Sequence, residues 1–199
     1  MYIEVDIKNR ITNYSLFLSF FAVYFLIAAI VDPIPCPKWI SSIDNKIPFI
    51  WWMIIPYYSY YILLIIPPFL IHDLNKIKKL TKVLIETAIF CYIIYILWPI
   101  SSYDVLKDVT PNILSFLHNF ITFEFLHQNA LPSMHVSVTT TIGLVISNYQ
   151  NKYRFLMISM ILGIFLATFL IKQHYLIDSI TGLILGYIGF LRYKYLTKI

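Results

Sequence analysis

Apolar residues fall into six long runs along the chain, at 15–31, 48–71, 83–100, 133–149, 155–171 and 174–191, with short polar segments between them. An α-helix needs roughly 17–25 mostly apolar residues to cross the hydrocarbon of a bilayer. The pattern predicts an all-α, polytopic membrane protein of six transmembrane helices in one bundle. The fourth run differs from the rest, because Ser137, Thr139, Thr140 and Thr141 interrupt it. Such hydroxyls bond back to helix carbonyls or across to neighbouring helices. Between the third and fourth spans, Thr110 is placed to cap a helix with Pro111 in its first turn. Asn112–His127 then reads as amphipathic, with Ser115, His118, Asn119 and Thr122 on one stripe and Phe116, Leu117, Phe120 and Phe123 largely opposite. This predicts an interfacial helix. There is no internal repeat and no linker long enough for a second domain, so residues 1–199 read as a single integral-membrane domain.

Composition supports the pattern. Hydrophobic residues make up 59% of the chain and charged residues 13%, against roughly 25% charge in a soluble domain. A 199-residue globule could not hide that much apolar surface from water. An ordinary cytosolic enzyme, a disordered chain and a nucleic-acid module are excluded. Ser15–Val31 is longer than the apolar core of a usual signal peptide and ends in Asp32-Pro33 with no small-x-small site, so it reads as a retained span. Cys36 lies in a Pro-rich loop and Cys91 in an apolar run, and no disulfide is expected.

The placement of charge gives a sidedness. With the N-terminus inside and the chain alternating, eleven of the 15 Lys and Arg residues fall on the inner side, and Lys38, Lys46, Lys107 and Lys172 fall outside. The positive-inside rule then puts both termini in the cytoplasm. The longer loops, 32–47 and 101–132, face out.

The outer ends of the last three spans collect Ser133, His135, Thr168, Lys172, His174 and Asp178. Ionisable groups at membrane depth point to function. His174 and Asp178 are spaced i, i+4, one above the other on a helix face. A carboxylate there can accept the proton of one imidazole nitrogen and leave the other as a nucleophile or base. The alternative is a pair that merely satisfies itself inside a bundle. Ser133 is a good N-cap, and the helix start behind it faces outward as an anion site. His135, in that first turn, is placed to protonate a leaving oxygen. An ordinary capped helix start is the competing reading. Lys172, with Thr168 one turn back, makes a phosphate clamp or else an interfacial lysine. Glu86 reads as snorkelling or pairing with the nearby lysines, and Gly182, Gly186 and Gly189 as a close-packing stripe. Tyr57, Tyr58, Tyr60 and Tyr61 sit near mid-span, lining a cleft or packing in the bundle. His118 and His127 could join the other histidines at a metal, but no zinc-type spacing is present, so no metal and no cofactor are expected.

Leu131-Pro132-Ser133-Met134-His135-Val136 resembles the second motif of the type 2 phosphatidic acid phosphatase superfamily, usually Pro-Ser-Gly-His. Lys172-Gln173-His174-Tyr175-Leu176-Ile177-Asp178, followed by Gly182, resembles its third motif, His-x-x-x-Asp preceded by Ser-Arg. Ile47–Trp52 running into Pro56-Tyr57, together with the Gln-His-Tyr form of the third motif, is similar to the branch that includes inositol phosphorylceramide synthases. The first motif, Lys-x6-Arg-Pro, is absent, Trp98–Tyr103 standing in its place, and Ala167-Thr168 stands where Ser-Arg is usual.

The resemblance implies two-step phosphoryl transfer without metal. His174 would be the nucleophile, Asp178 its activating partner and His135 the acid and base. Ser133, Met134, Lys172 and Thr168 would bind the phosphate. The expected protein is a lipid phosphate phosphatase, with a headgroup phosphotransferase and a non-catalytic lipid-binding or transport protein as alternatives. Its partners would be a lipid phosphate and the bilayer, with no nucleic acid and no required protein. The abundance of Ile, Lys and Asn suggests a bacterial plasma membrane, with the site facing the periplasm or exterior.

Overall fold

The computed structural model describes residues 2–102, 109–122 and 131–198. Among these residues the chain is all-helical, with 78% in helix and no strand. The helices are α1 (Tyr2–Ser19), α2 (Phe21–Ile30), α3 (Lys38–Asp44), α4 (Ile54–Ile65), α5 (Pro67–Leu70), α6 (Leu74–Leu97), α7 (Ser115–Ile121), α8 (Met134–Tyr149), α9 (Arg154–Leu170) and α10 (Leu176–Thr197).

Four helical segments are long and apolar enough to cross a membrane: Asp6–Ile30, Leu74–Leu97, Asn151–Leu170 and Leu176–Thr197. The other two predicted spans are shorter. In the second, a 3-10 turn at Trp51–Met53 leads into α4, and Pro67 opens the short α5. Proline has no N–H to give the ladder, which accounts for the break. The fourth is the 16-residue α8. It packs against α10, α9, α6 and α4. Ser137, Thr139, Thr140 and Thr141 on it are all buried. Its low hydropathy therefore has a simple cause. Its neighbours shield it from the surroundings, and two of the hydroxyls bond to carbonyls, Ser137 to that of Met134 and Thr141 to those of Ser137 and Gly186.

The exterior is inverted relative to a water-soluble globule. Ile30, Leu97, Phe120 and Phe155 are among the most exposed side chains, at 70, 74, 72 and 86%. A monomeric soluble protein rarely exposes large contiguous apolar patches. The helix between the third and fourth runs starts at Ser115, not near Thr110 as its sequence predicts. Asn112 accepts from the Leu114 amide in an Asx turn, which delays the helix by one turn. Within α7, His118 faces inward and Phe116 and Phe120 face outward. Phe123 and His127 lie outside the described residues.

α8 and α10 run parallel and very close. A Cβ on Gly182 would lie 2.5 Å from the Ser133 carbonyl oxygen, and one on Gly186 would collide with the Ser137 carbonyl. The glycine stripe thus packs the start of α8 onto the start of α10. The ends of the bundle differ in chemistry. One end carries Lys76, Lys78, Lys79 and Lys82 at the start of α6 and Arg192 and Lys194 near the end of α10. There Glu86 binds Arg192 at 3.1 Å and Lys82 at 4.0 Å, the pairing its position predicts. Arg10 is buried at the same end on the carbonyls of Pro68 and Ile71. The opposite end holds α3, the starts of α4, α8 and α10 and the end of α6. Cys36 and Cys91 are both buried, one in the loop before α3 and one within α6.

Candidate active site

At the end opposite the lysines of α6, the start of α8 and the start of α10 bring three predicted residues together. His174 Nδ1 lies 3.5 Å from Asp178 Oδ2, one helical turn on. His174 Nε2 lies 3.4 Å from His135 Nδ1 on α8. The other nitrogen of His135, Nε2, is 2.9 Å from the Tyr57 hydroxyl on α4. Tyr60 packs its ring beside His135, with centroids 4.6 Å apart. His174 and Asp178 are buried, at 5 and 0% exposure. Both distances to His174 are long for a hydrogen bond.

Local structure explains this convergence. Asp178 is the third residue of α10, and its Oδ2 accepts from the Tyr175 amide at 2.9 Å, closing a capping box. The carboxylate is therefore fixed before it meets His174. Ser133 caps α8 by accepting from the Val136 amide. Its own amide donates to the Asp178 carbonyl at 2.9 Å, so the two helix starts are bonded to each other. The amides of Met134 and His135 come next. Amides in the first turn of a helix have no carbonyl of that helix to bond.

The residues predicted to bind phosphate separate into two groups. Ser133 and Met134 lie beside His135 in the first turn of α8. Lys172 and Thr168 lie behind the histidine pair with bonds of their own. Lys172 sits at φ 62°, in the left-handed region that L residues rarely adopt. Its ammonium donates to the carbonyls of Asp44 at 3.0 Å and Ile47 at 2.7 Å, where α3 ends. The amides of Gln173 and His174 both turn back to the Thr168 carbonyl. The Thr168 hydroxyl shares a 2.7 Å hydrogen bond with Ser179. Lys172→Met should therefore lower thermal stability in detergent, because the carbonyls of Asp44 and Ile47, buried and part-buried, lose a charged donor at a cost of about 1–3 kcal/mol. A raised KM with an unchanged melting temperature would instead place the ammonium on the substrate.

Two residues of the site are not marked by motif spacing. Asp44 is buried and its Oδ1 accepts from the Leu176 amide at 2.9 Å, a second carboxylate at the start of α10. Burial raises its pKa above the usual carboxylate value, and the nearby Asp178 adds to this, while the Leu176 amide and Lys172 oppose it. Only its acidic nature in a chain with ten Asp and Glu could have singled it out. Tyr57 stands out in the sequence as one of four near-mid-span tyrosines and as the end of the segment similar to the synthase branch, but neither signal places it on His135. His118 is not part of this group. Its Nε2 lies 3.1 Å from the Trp51 carbonyl, and burial lowers its pKa, with that carbonyl opposing. Among the described residues no three His, Cys, Asp or Glu side chains form a metal-binding cluster.

A buried carboxylate–imidazole–imidazole array at the joined ends of two helices can supply a nucleophile and a proton carrier to one substrate atom. No curated protein and no solved structure matches the chain. A family model described as the PAP2 superfamily matches residues 33–192, which include α3 to α9, most of α10 and the whole of this site, and the chain belongs to that superfamily.

Proposed function

We propose that the protein is a lipid phosphate phosphatase that works through a phosphohistidine on His174. The observation that carries this reading is the array Asp178–His174–His135, with one imidazole nitrogen of His174 on the carboxylate and the other facing His135. In the first step His174 Nε2 attacks phosphorus. The bond from phosphorus to the lipid oxygen breaks, and protonated His135 gives its Nδ1 proton to that oxygen. In the second step water attacks phosphorus, His135 Nδ1 takes the proton of the water, and the P–N bond breaks. Asp178 holds the Nδ1–H of His174 throughout and stabilises the charge on its ring. The two facing nitrogens, 3.4 Å apart, must part to admit a phosphoryl group.

In this reading the phosphoryl oxygens lie against the first turn of α8, with the amides of Met134 and His135 as donors and the helix dipole behind them. Ser133 shapes that turn. Lys172 and Thr168 add positive charge and rigidity from behind, and Lys172 reaches phosphate directly only by leaving the carbonyls of Asp44 and Ile47. The six helical runs form a six-span bundle, α4 and α8 crossing with their flanking turns, and α7 lies in the interface with Phe116 and Phe120 toward lipid. The lysine-rich end faces the cytoplasm by the positive-inside rule, so both termini lie inside and the site opens outward. A bacterial plasma membrane fits this arrangement.

The reading is tested with purified protein in detergent, a panel of phosphorylated lipids and excess chelator. Release of inorganic phosphate from at least one lipid is expected, without loss on chelation. Release that vanishes with the chelator, or no release from any lipid, would count against it, and the latter would favour a lipid-binding protein. An alcohol in place of water would make the same site a headgroup phosphotransferase. The segment Ile47–Tyr57, which resembles the transferase branch and carries Tyr57 to His135, favours that second reading. Transfer of labelled phosphate to glycerol or inositol would establish it.

A further inference from the structure

The hydrogen-bonding partner of His135 on its far side has no role in the chemistry above, and we propose that Tyr57 is a positioning residue that keeps Nδ1 of His135 aimed at the reacting group. The inference rests on the reading of His174 as nucleophile and His135 as proton carrier.

The polarity of the array follows from its fixed end. An ionised Asp178 can only accept a hydrogen bond. His174 Nδ1 is the imidazole atom set against that carboxylate, at 3.5 Å, and in the phosphohistidine reading it carries the proton. A neutral His174 then offers Nε2 as a lone pair, as a nucleophile must. Facing it is His135 Nδ1, which is a donor in the resting array. A neutral imidazole has one N–H, so His135 Nε2 is an acceptor, and the Tyr57 hydroxyl 2.9 Å away must donate to it. With Asp178 ionised and His174 neutral, as the phosphohistidine reading requires, each assignment follows from the one before.

The chemistry then requires His135 to change its protonation state twice. Protonated, it carries hydrogens on both nitrogens, gives the Nδ1 proton to the leaving oxygen, and keeps the Nε2–H. Neutral in that second tautomer, it takes the proton of the attacking water at Nδ1. The partner on Nε2 must therefore accept in the working states and donate in the resting one. A carboxylate accepts only, and a backbone amide donates only. A phenol does both by rotating its O–H. Tyr57 is buried on α4, and that hydroxyl is the one the structure sets against Nε2. The Tyr60 ring flanks the same imidazole, but its buried hydroxyl has no partner among the described residues.

The test separates aim from packing by leaving group. Values of kcat/KM, which report the step that forms the phosphoenzyme, are compared for an alkyl phosphate lipid and for p-nitrophenyl phosphate, whose phenolate leaves with little help from an acid. Tyr57→Phe should lower kcat/KM about 10²-fold for the lipid and only a fewfold for the aryl ester, with an unchanged melting temperature. Tyr60→Phe should change neither. Because Tyr57 acts through His135, adding Tyr57→Phe to His135→Ala should cost nothing further. Equal losses on both substrates, the same pattern in Tyr60→Phe, or additive losses in the double variant would overturn the proposal. If the wild type cleaves neither substrate, the reading of the site falls and this inference falls with it.

Discussion

His174→Ala should reduce phosphate release on the order of 10⁴-fold or more while leaving KM and the melting temperature near wild type. The loss is large because the nucleophile is removed outright, and residues that act as one unit lose nearly all their effect when one is deleted. His135 cannot replace it. Its Nδ1 carries the proton for the leaving oxygen, and its Nε2 is committed to Tyr57. Asp178→Asn should cost somewhat less, about 10²–10⁴-fold, since the ring stays in place but its tautomer and the stabilisation of its charge are lost. The fold should survive the alanine change, because α10 is held by its glycine contacts with α8 and by the Asp178 cap rather than by the imidazole. Activity of His174→Ala within tenfold of wild type, measured by phosphate release on the preferred lipid, would remove His174 from the chemistry.

Gly182→Val should lose both stability and activity. The first atom of any side chain there would lie 2.5 Å from the Ser133 carbonyl oxygen, which is backbone and cannot rotate away. The helices must separate, at a cost of about 1–3 kcal/mol for an overpacked contact. Ser133 is bonded to Asp178 and followed two residues on by His135, so separation also draws His135 from His174. A displacement of about 1 Å at a catalytic group can cost 10²-fold in rate, which is the expected loss in kcat. Gly163→Ala is the matched control. A Cβ there meets the Pro56 side chain at 3.4 Å, an ordinary contact, and neither the melting temperature nor the rate should change much. Unaltered kcat in Gly182→Val would show that the spacing of α8 and α10 does not set the site.

These two predictions draw on features with different visibility in the sequence. The i, i+4 spacing of His174 and Asp178 and the cap-like Ser133 fix local geometry, and local geometry is what a sequence pattern encodes. The juxtaposition of His135 and His174 comes from a parallel pair of helices separated by a third; the glycine stripe marked α10 for close packing, and only the fold shows that α8 is its partner. Lys172 shows the limit. Its position predicts a charge near phosphate, but only the fold shows α3 returning to offer two carbonyls to its ammonium. Asp44 and Tyr57 lie far from His174 and His135 in the chain, and no periodicity relates them. The run 133–149 forms α8 almost end to end, whereas the run 48–71 breaks into a 3-10 turn, α4 and α5. The hydroxyls of α8 lie buried at the centre of the bundle.

The covalent intermediate is the central claim, and it can be read directly. The protein is mixed briefly with lipid carrying labelled phosphate and quenched in alkali, in which a P–N bond survives. The account predicts label on the wild-type chain that is stable to alkali, labile to acid and mapped to the peptide holding His174, and none on His174→Ala. A turning-over enzyme that never acquires label, or a His174→Ala chain that still does, would contradict it.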